Sequence, residues 1–355
     1  HGQQMRRTAP LRDGHPLRCY LHKFLLNDSL HCVSCSVESS RKFLVPTPTQ
    51  IAAASQSLAA IHRQLDSIVL GKSSTTRLAI TCLLAQGHLL IEDAPGLGKS
   101  TLALALAKSF GLEYNKLPCT NDLLPSDMLG LSVWDAHTQS MRYTPGPIFT
   151  QLLLADELNR APSKTQSALL EGMEERQVSV DGESRALPEP FFVIATQNPM
   201  DQVGVSPLPE SQLDRFMMRL TLGFPSQEAE LALLRSGDRR SNAIALAPVV
   251  NPQDLIEMQR VAEQIHVAEP VLVYVQQLLA SSRVGATRPL SPRAGLAVLR
   301  ASRANALQVG RDHVLPDDVQ AVWTAVVSHR LGGGHDSIAK GMQLAQSLLH
   351  GVAAP

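Results

Sequence analysis

"EDAPGLGKST", residues 92–101, decides how the rest of the chain is read. An apolar run, "GHLLI" (87–91), leads into it, and "LALALAKSF" (102–110) continues from it as a small-residue helix. The pattern G-x-x-x-x-G-K-[ST] is met except at its first glycine, where Asp93 stands. Strand, glycine turn and helix start together make a phosphate cradle. Successive backbone N–H groups converge there with a helix N-terminus, and glycines let the main chain bend and approach closely. Gly96 and Gly98 flank the tight part of the turn, Lys99 is placed to neutralise β and γ phosphates, and Ser100 to ligate Mg²⁺. Pro95, Leu97 and Thr101 complete the stretch expected against the nucleotide. None of these roles needs glycine at 93. Aspartate tolerates turn conformations, but its charge must point away from a polyanion. Taken alone, the loop could be an ordinary glycine turn.

Its context argues otherwise. "QLLLADE" (151–157) is an apolar strand ending in two acids, which would deliver Asp156 to a Mg²⁺ water and Glu157 to the attacking water. "FFVIATQNP" (191–199) places Asn198 at the end of a further strand, where its amide could hold the γ-phosphate or that water, although Asn before Pro is also a turn former. Phosphoryl transfer also asks for a guanidinium, from the same chain or a neighbour. Arg215, in "QLDRF", and Arg293, in "SPRAG", are the candidates, against the plainer reading of surface arginines.

Composition narrows the rest. The chain of 355 residues allows two domains, one large and one small. Its 32 basic and 32 acidic side chains balance, so no general pull toward nucleic acid or anionic lipid exists. No apolar run is long enough to span a membrane and no signal segment opens the sequence, so a soluble, cytoplasmic protein is expected. Five cysteines do not form a disulfide framework, and Cys119 reads as a small buried hydrophobe. Twelve histidines contain no H-E-x-x-H pair, which leaves Mg²⁺ as the metal to expect.

Residues 1–47 read as an extension, disordered or non-native. Cys19, His22, Cys32 and Cys35 have zinc spacing but lack the aromatic and glycine support of a small metal fold. Residues 48–224 read as an α/β core with a parallel sheet and hairpin inserts. "RQVSVDGESRALP" should be a hairpin turning at Asp181-Gly182, and "LSVWDAHTQSMRY" (131–143) a second one with weaker turn chemistry. After Phe224-Pro225 strand signals stop, and helices are expected at 226–236, 252–266, 268–282, 292–307 and 316–331, so residues 225–355 form a smaller all-helical domain.

"LLLADELNRAPSKTQSALLEGMEERQVSV" and "FFVIATQNPMDQVGVSPLPESQLDRFMMRL" together resemble the MoxR group of AAA+ ATPases, over roughly residues 55–335. The resemblance implies an AAA+ core and helical lid, assembled as a ring, usually a hexamer, with ATP at subunit boundaries. It makes Arg215 a finger for a neighbour's γ-phosphate, Arg293 the lid's sensor in cis and Asn198 the sensor asparagine. Lys99 with Ser100, and Asp156 with Glu157, take the roles already read from the residues. "SIVLGK" (67–72) resembles the segment that packs near adenine, so Val69 and Gly71 join the binding candidates. The family often carries a residue other than glycine where Asp93 stands. One departure is Leu315, where Ser or Thr would more usually cap the helix before Pro316.

The expected activity is Mg²⁺-dependent ATP hydrolysis, coupled to a chaperone-like action on partner proteins such as those with von Willebrand factor A domains. A nucleotide-gated scaffold with negligible turnover is the alternative. A nucleic-acid motor is disfavoured by the charge balance and by the few basic residues on "QVSVDGESRA".

Overall fold

The three apolar runs ending in "ED", "ADE" and "TQN" become neighbouring strands of one parallel sheet. In the computed structural model the described residues are 45–198, 206, 208–236, 239–284, 288–332 and 338–355. Two helices come first, α1 (Pro48–Ile68) and α2 (Ser73–Leu84), followed by β1 (Leu89–Glu92), α3 (Lys99–Ser109) and β2 (Tyr114–Pro118). A short α4 (Pro125–Leu129) opens the hairpin of β3 (Gly130–Asp135) and β4 (Ser140–Pro145). Then come β5 (Leu152–Asp156), α5 (Ser163–Glu175), the hairpin of β6 (Gln177–Val180) and β7 (Glu183–Ala186), β8 (Phe192–Gln197), α6 (Glu210–Leu213) and β9 (Met218–Leu220). From there every element among the described residues is a helix: α7 (Gln227–Ser236), α8 (Arg239–Ile244), α9 (Pro252–Gln264), α10 (Glu269–Ser281), α11 (Pro292–Gln308), α12 (Pro316–Gly332) and α13 (Ile338–Gly351).

Sheet order is β2-β5-β8-β1-β9 with every pair parallel. The three central strands are buried on both faces, which is why they read as unbroken apolar runs. Leu89, Ile91, Leu152, Leu154, Phe192 and Ile194 face one core with α1, α2 and α3, whereas Leu90, Leu153, Ala155, Val193 and Ala195 face the other, under α5. Leu102 through Ala107 are all buried, because α3 lies between the sheet and helices α1 and α8. Alternating Leu and Ala supplies apolar surface all round at a thickness that fits that gap.

The helical part shares the first of these cores: one apolar cluster runs from the sheet face to Trp323, Tyr274 and Val298. Trp323 is fully buried and donates its indole N–H to Ala345 O at 2.9 Å, which pins α13 onto α12. No helix among the described residues is long and apolar enough to cross a membrane.

Several expectations are adjusted. Both hairpins form, and Asp181 and Gly182 take φ +54° and +80°, as a two-residue turn requires. The edge strands β2 and β9 escaped the sequence reading. "YNKLP" looks polar because only Leu117 is buried, and β9 has three residues. Helices α8 and α13 were also unforeseen. The start of the core moves slightly, since Thr47, assigned to the extension, is the N-cap of α1 and forms a capping box with Gln50. The Cys19, His22, Cys32 and Cys35 group lies outside the described residues.

Candidate active site

At the C-terminal end of β1 the chain turns through residues 93–98 into α3. Gly98 is the N-cap at φ +87°, and Gly96 has φ +83°. Nothing lies within 4 Å of where a Cβ would stand at either position, so the cradle is open on the side the glycines face. No side chain caps α3, which leaves its first N–H groups directed at that opening. Lys99 is buried beneath the loop. Its Nζ donates to Asp93 O at 2.5 Å, to Ala94 O at 3.2 Å and to Gln197 O at 3.5 Å, holding a cation at the centre of the turn.

A cleft of about 270 Å³ adjoins the loop, lined by Val69, Gly96, Leu97, Gly98 and Thr101 together with Lys72, Gly223, Pro225 and Leu233. Val69, read as packing near adenine, is on this lining. Gly71 is not on the lining: at φ +69° it packs against α7, where an added Cβ would stand 3.1 Å from Ala229 Cβ. Its lack of a side chain allows that close packing. Pro95 is exposed at the loop tip, and Ser100 begins α3 beside Lys99.

The acidic pair leaves β5 two strands away, across β8. One hydroxyl organises both members. Thr196 Oγ1 donates to Asp156 Oδ1 at 2.7 Å and accepts from the Glu157 backbone N–H at 2.8 Å. Glu157 stands at φ +59°, ψ +49°, an uncommon conformation for a residue with a side chain, and this bond helps hold it there. Asp156 Oδ2 pairs with Lys116 Nζ at 2.6 Å. Burial alone would raise the Asp156 pKa. Hydrogen bonds from Lys116 and Thr196, with the charges of Lys116 and Lys99, outweigh it and hold the carboxyl below its ordinary value. The Glu157 carboxylate turns onto Arg160, with Oε2 2.9 Å from Nη1. Asn198 follows β8 directly and is buried, next to the Gln197 carbonyl that receives both Lys99 and the Asp93 N–H.

The two arginines lie elsewhere. Arg215 Nε is 3.2 Å from Glu174 Oε2, and Arg293 Nη2 is 2.5 Å from Glu174 Oε1, so one carboxylate at the end of α5 holds a guanidinium from the core and one from α11. Behind them Arg330, largely buried, reaches Asp214 Oδ1 at 2.6 Å and the carbonyls of Asp214 and Phe216, fixing the turn that presents Arg215. These groups, with Arg176 and Arg300, line a 460 Å³ cavity that also includes Gly87 and His88, at the start of β1. The phosphate loop leaves the other end of the same strand. Four strand residues separate His88 from Asp93, five steps of extended chain or about 16 Å. Arg293, expected from the resemblance to serve its own chain's nucleotide, here shares Glu174 with Arg215, and the two cavities have no lining residue in common.

Lys116, Thr196, Arg160, Glu174 and Arg330 were not foreseen. Only Thr196 had a legible signal, two positions before Asn198 and so on the same face of β8. Arg160 meets Glu157 three residues away, and the others meet their partners through tertiary packing. Among the described residues no cluster of three or more metal-type side chains exists. Mg²⁺ does not demand one, since it is commonly held by one or two carboxylates, water and the phosphates themselves. The Asp156 carboxylate and the Ser100 hydroxyl suit that pattern, and the open glycine turn, uncapped helix start and buried ammonium suit a triphosphate. Cys119 is buried, its thiol pushed up to about 12 by burial first and then by the charges of Asp156 and Glu157, which makes it inert as a nucleophile.

Comparison with known proteins agrees with this geometry. Residues 88–218 match the family model for ATPases associated with various cellular activities, and residues 286–347 match the AAA lid domain. The chain is 42% identical over 269 residues to Bacillus subtilis YeaC, covering 75% of this chain and 84% of that protein. It is 35% identical over 288 residues to chaperone MoxR1 of Mycobacterium tuberculosis, covering 78% and 76%. A candidate ATPase from Cytophaga hutchinsonii, known from its crystal structure, superposes with a TM-score of 0.77 at 30% identity, covering 86% of this chain and 97% of that one. A phosphate loop, an acidic strand end and a helical lid in that order, with relatives at this level of identity, place the chain in the MoxR group of the AAA+ ATPases, and it is an ATPase of that family.

Proposed function

We propose that this chain works as one subunit of a closed ring, hydrolyses ATP with Mg²⁺ at sites shared between neighbours, and uses the cycle to remodel or activate a partner protein. One observation carries this reading: the phosphate-loop cleft and the Arg215–Arg293 cavity sit at opposite ends of β1, so each subunit holds two unlike halves of a site. A head-to-tail contact that brings unlike halves together generates a ring when its rotation closes. Six subunits is the size that the resemblance implies.

Within a completed site, Lys99 exchanges its loop carbonyls for β- and γ-phosphate oxygens. Ser100 and Asp156 would hold Mg²⁺, which when bound supplies neutralisation of phosphate charge, and Lys116 then yields its place on Asp156. Glu157 leaves Arg160 to orient and polarise the attacking water, and Asn198 steadies it. Arg215 and Arg293, from the neighbour, leave Glu174 to meet the charge that develops on the γ-phosphoryl group.

Protein remodelling is supported by the description of the M. tuberculosis relative as a chaperone. A protein with a von Willebrand factor A domain is the client class to test first, and a cytoplasmic location belongs to the same reading. A nucleic-acid motor finds little support, since Arg185 on the β6–β7 hairpin is engaged by Glu183 and by the Tyr143 ring, 3.8 Å from its centroid.

Turnover per subunit, measured against protein concentration with Mg²⁺, tests the shared site. Specific activity should rise with concentration, and Arg215→Ala should abolish it while ATP binding persists. Mixing Arg215→Ala with Glu157→Gln subunits should restore part of it, because each supplies the half the other lacks. Activity independent of concentration, with no complementation, rejects the shared site.

A further inference from the structure

Asp93 stands where the phosphate-loop pattern asks for glycine, and its carboxylate faces away from the cradle. Oδ2 accepts from two successive backbone N–H groups, Leu222 and Gly223, each at 2.6 Å, and Oδ1 accepts from Ala94 N–H at 3.0 Å. Leu222 and Gly223 follow β9 and lead through Phe224 and Pro225 into α7, the first helix beyond the sheet. This segment is itself a wall of the nucleotide cleft, because Gly223 and Pro225 line it opposite Gly96, Gly98 and Thr101. Its other side is held by Lys72, whose Nζ donates to Phe224 O at 2.7 Å. One carboxylate thus joins the first residue of the phosphate loop to the strand that crosses from core to lid.

Glycine at 93 would make none of these side-chain contacts. The amides of Leu222 and Gly223 would turn to water, and Gly223, at φ +63°, would lose what fixes a conformation that glycine is free to leave. Hydrogen bonds to an ionised acceptor are about twice as strong as neutral ones, so two on one oxygen make a firm joint. We propose that Asp93 is a positioning residue that replaces the loop glycine in order to hold residues 222–225 against the phosphate loop, so that the cleft wall is formed before nucleotide arrives and the loop and lid entry move together. The role rests on reading the cleft as the ATP site.

Restoring the pattern's glycine should therefore weaken nucleotide binding. The full chain and its Asp93→Gly and Asp93→Asn variants would be compared by affinity for a fluorescent ATP analogue, by KM against kcat, and by hydrogen exchange at the amides of residues 222–224. Asp93→Gly should lose about tenfold in affinity, with KM raised more than kcat is lowered. The Leu222 and Gly223 amides should lose their protection, and nucleotide should no longer add to it. Asp93→Asn, which keeps one oxygen for both amides but turns an N–H₂ toward Ala94 N–H, should recover most of the affinity. Equal affinity and equal protection in Asp93→Gly and the wild type overturn the positioning role alone. Absence of binding in the wild type overturns the nucleotide reading and this role with it. Should Asp93→Gly fail to fold, the asparagine variant decides, since lost protection at Leu222 and Gly223 with unchanged affinity overturns the proposal.

Discussion

At the scale of single residues, the site depends on side chains that touch its named members rather than on those members alone. Thr196 is the clearest case, since its hydroxyl donates to Asp156 and accepts from the main chain of Glu157. Replacing it by valine keeps the shape and removes both bonds. Glu157, in the left-handed region, is then free to leave its present orientation, the one from which it is proposed to activate water. Thr196→Val should lower kcat by about ten- to a hundredfold, the equivalent of one to two hydrogen bonds, with nucleotide affinity near wild type and activity recovered in Thr196→Ser. Steady-state kinetics with a separate binding measurement checks this, and an equal fall in affinity would show that Thr196 holds the site together rather than aiming Glu157. Asp156, Glu157, Lys99 and Ser100 could be named from the sequence because their spacing is set locally by strand, turn and helix. Thr196 could not be given its partners, because they come from a strand forty residues away.

At the scale of elements, the start of α12 shows how a missing local signal is made good. Leu315 has no hydroxyl to cap the helix, but Asp318, three residues on and fully buried, accepts from Leu315 N–H at 2.8 Å. This is the returning half of a capping box without its first half. The same carboxylate receives Asn305 Nδ2 at 2.8 Å and Arg311 Nη2 at 2.7 Å, so it ties α11, the following turn and α12 into one joint of the lid. Removing it strands a buried amide and a largely buried guanidinium. Asp318→Ala should cost about 3 kcal/mol of stability, in the range for breaking a buried, hydrogen-bonded ion pair. Chemical denaturation measures it, and a loss below about 1 kcal/mol, the size of an ordinary cap, would mean that the joint contributes no more than one.

At the scale of the whole molecule, two buried histidines set a dependence on pH. His88, at the entrance to β1, accepts from Val193 N–H at Nδ1 and so carries its proton on Nε2, which donates to Met173 O. A second proton has no acceptor to meet. Burial, then the charge of Arg176, lower the His88 pKa to about 3, and burial with Arg330 and Arg219 lowers that of His329 well below its usual value. Once unfolded, both take up protons near pH 6.5. The unfolded state therefore binds more protons below that value, so stability is fully present above pH 6.5 and declines as pH falls toward 3. Each histidine should cost about 2 kcal/mol at pH 5. Glu92 works in the opposite sense, because burial, only partly offset by the charge and hydrogen bond of Arg219, raises its pKa. The unfolding free energy, from denaturation between pH 6 and 5, should fall with a slope near two protons, and near one in His88→Gln, whose amide can replace both hydrogen bonds. A slope unchanged by that substitution would remove His88 from the account.

The amino-acid sequence by itself determined the order of loop, acidic strand and asparagine strand, the two hairpins, the change to helices after Pro225 and the identity of the phosphate-loop residues. All of these rest on short-range periodicity, turn chemistry and spacing, which a linear chain displays. Tertiary structure alone decided the rest. It put β8 between β1 and β5, added two edge strands with little apolar pattern of their own, placed Arg293 beside Arg215 on Glu174, and turned the Asp93 carboxylate to the strand exit. Each of these depends on groups far apart in the chain meeting across a packed core, where burial and hydrogen-bond satisfaction select the partner and sequence distance carries no signal.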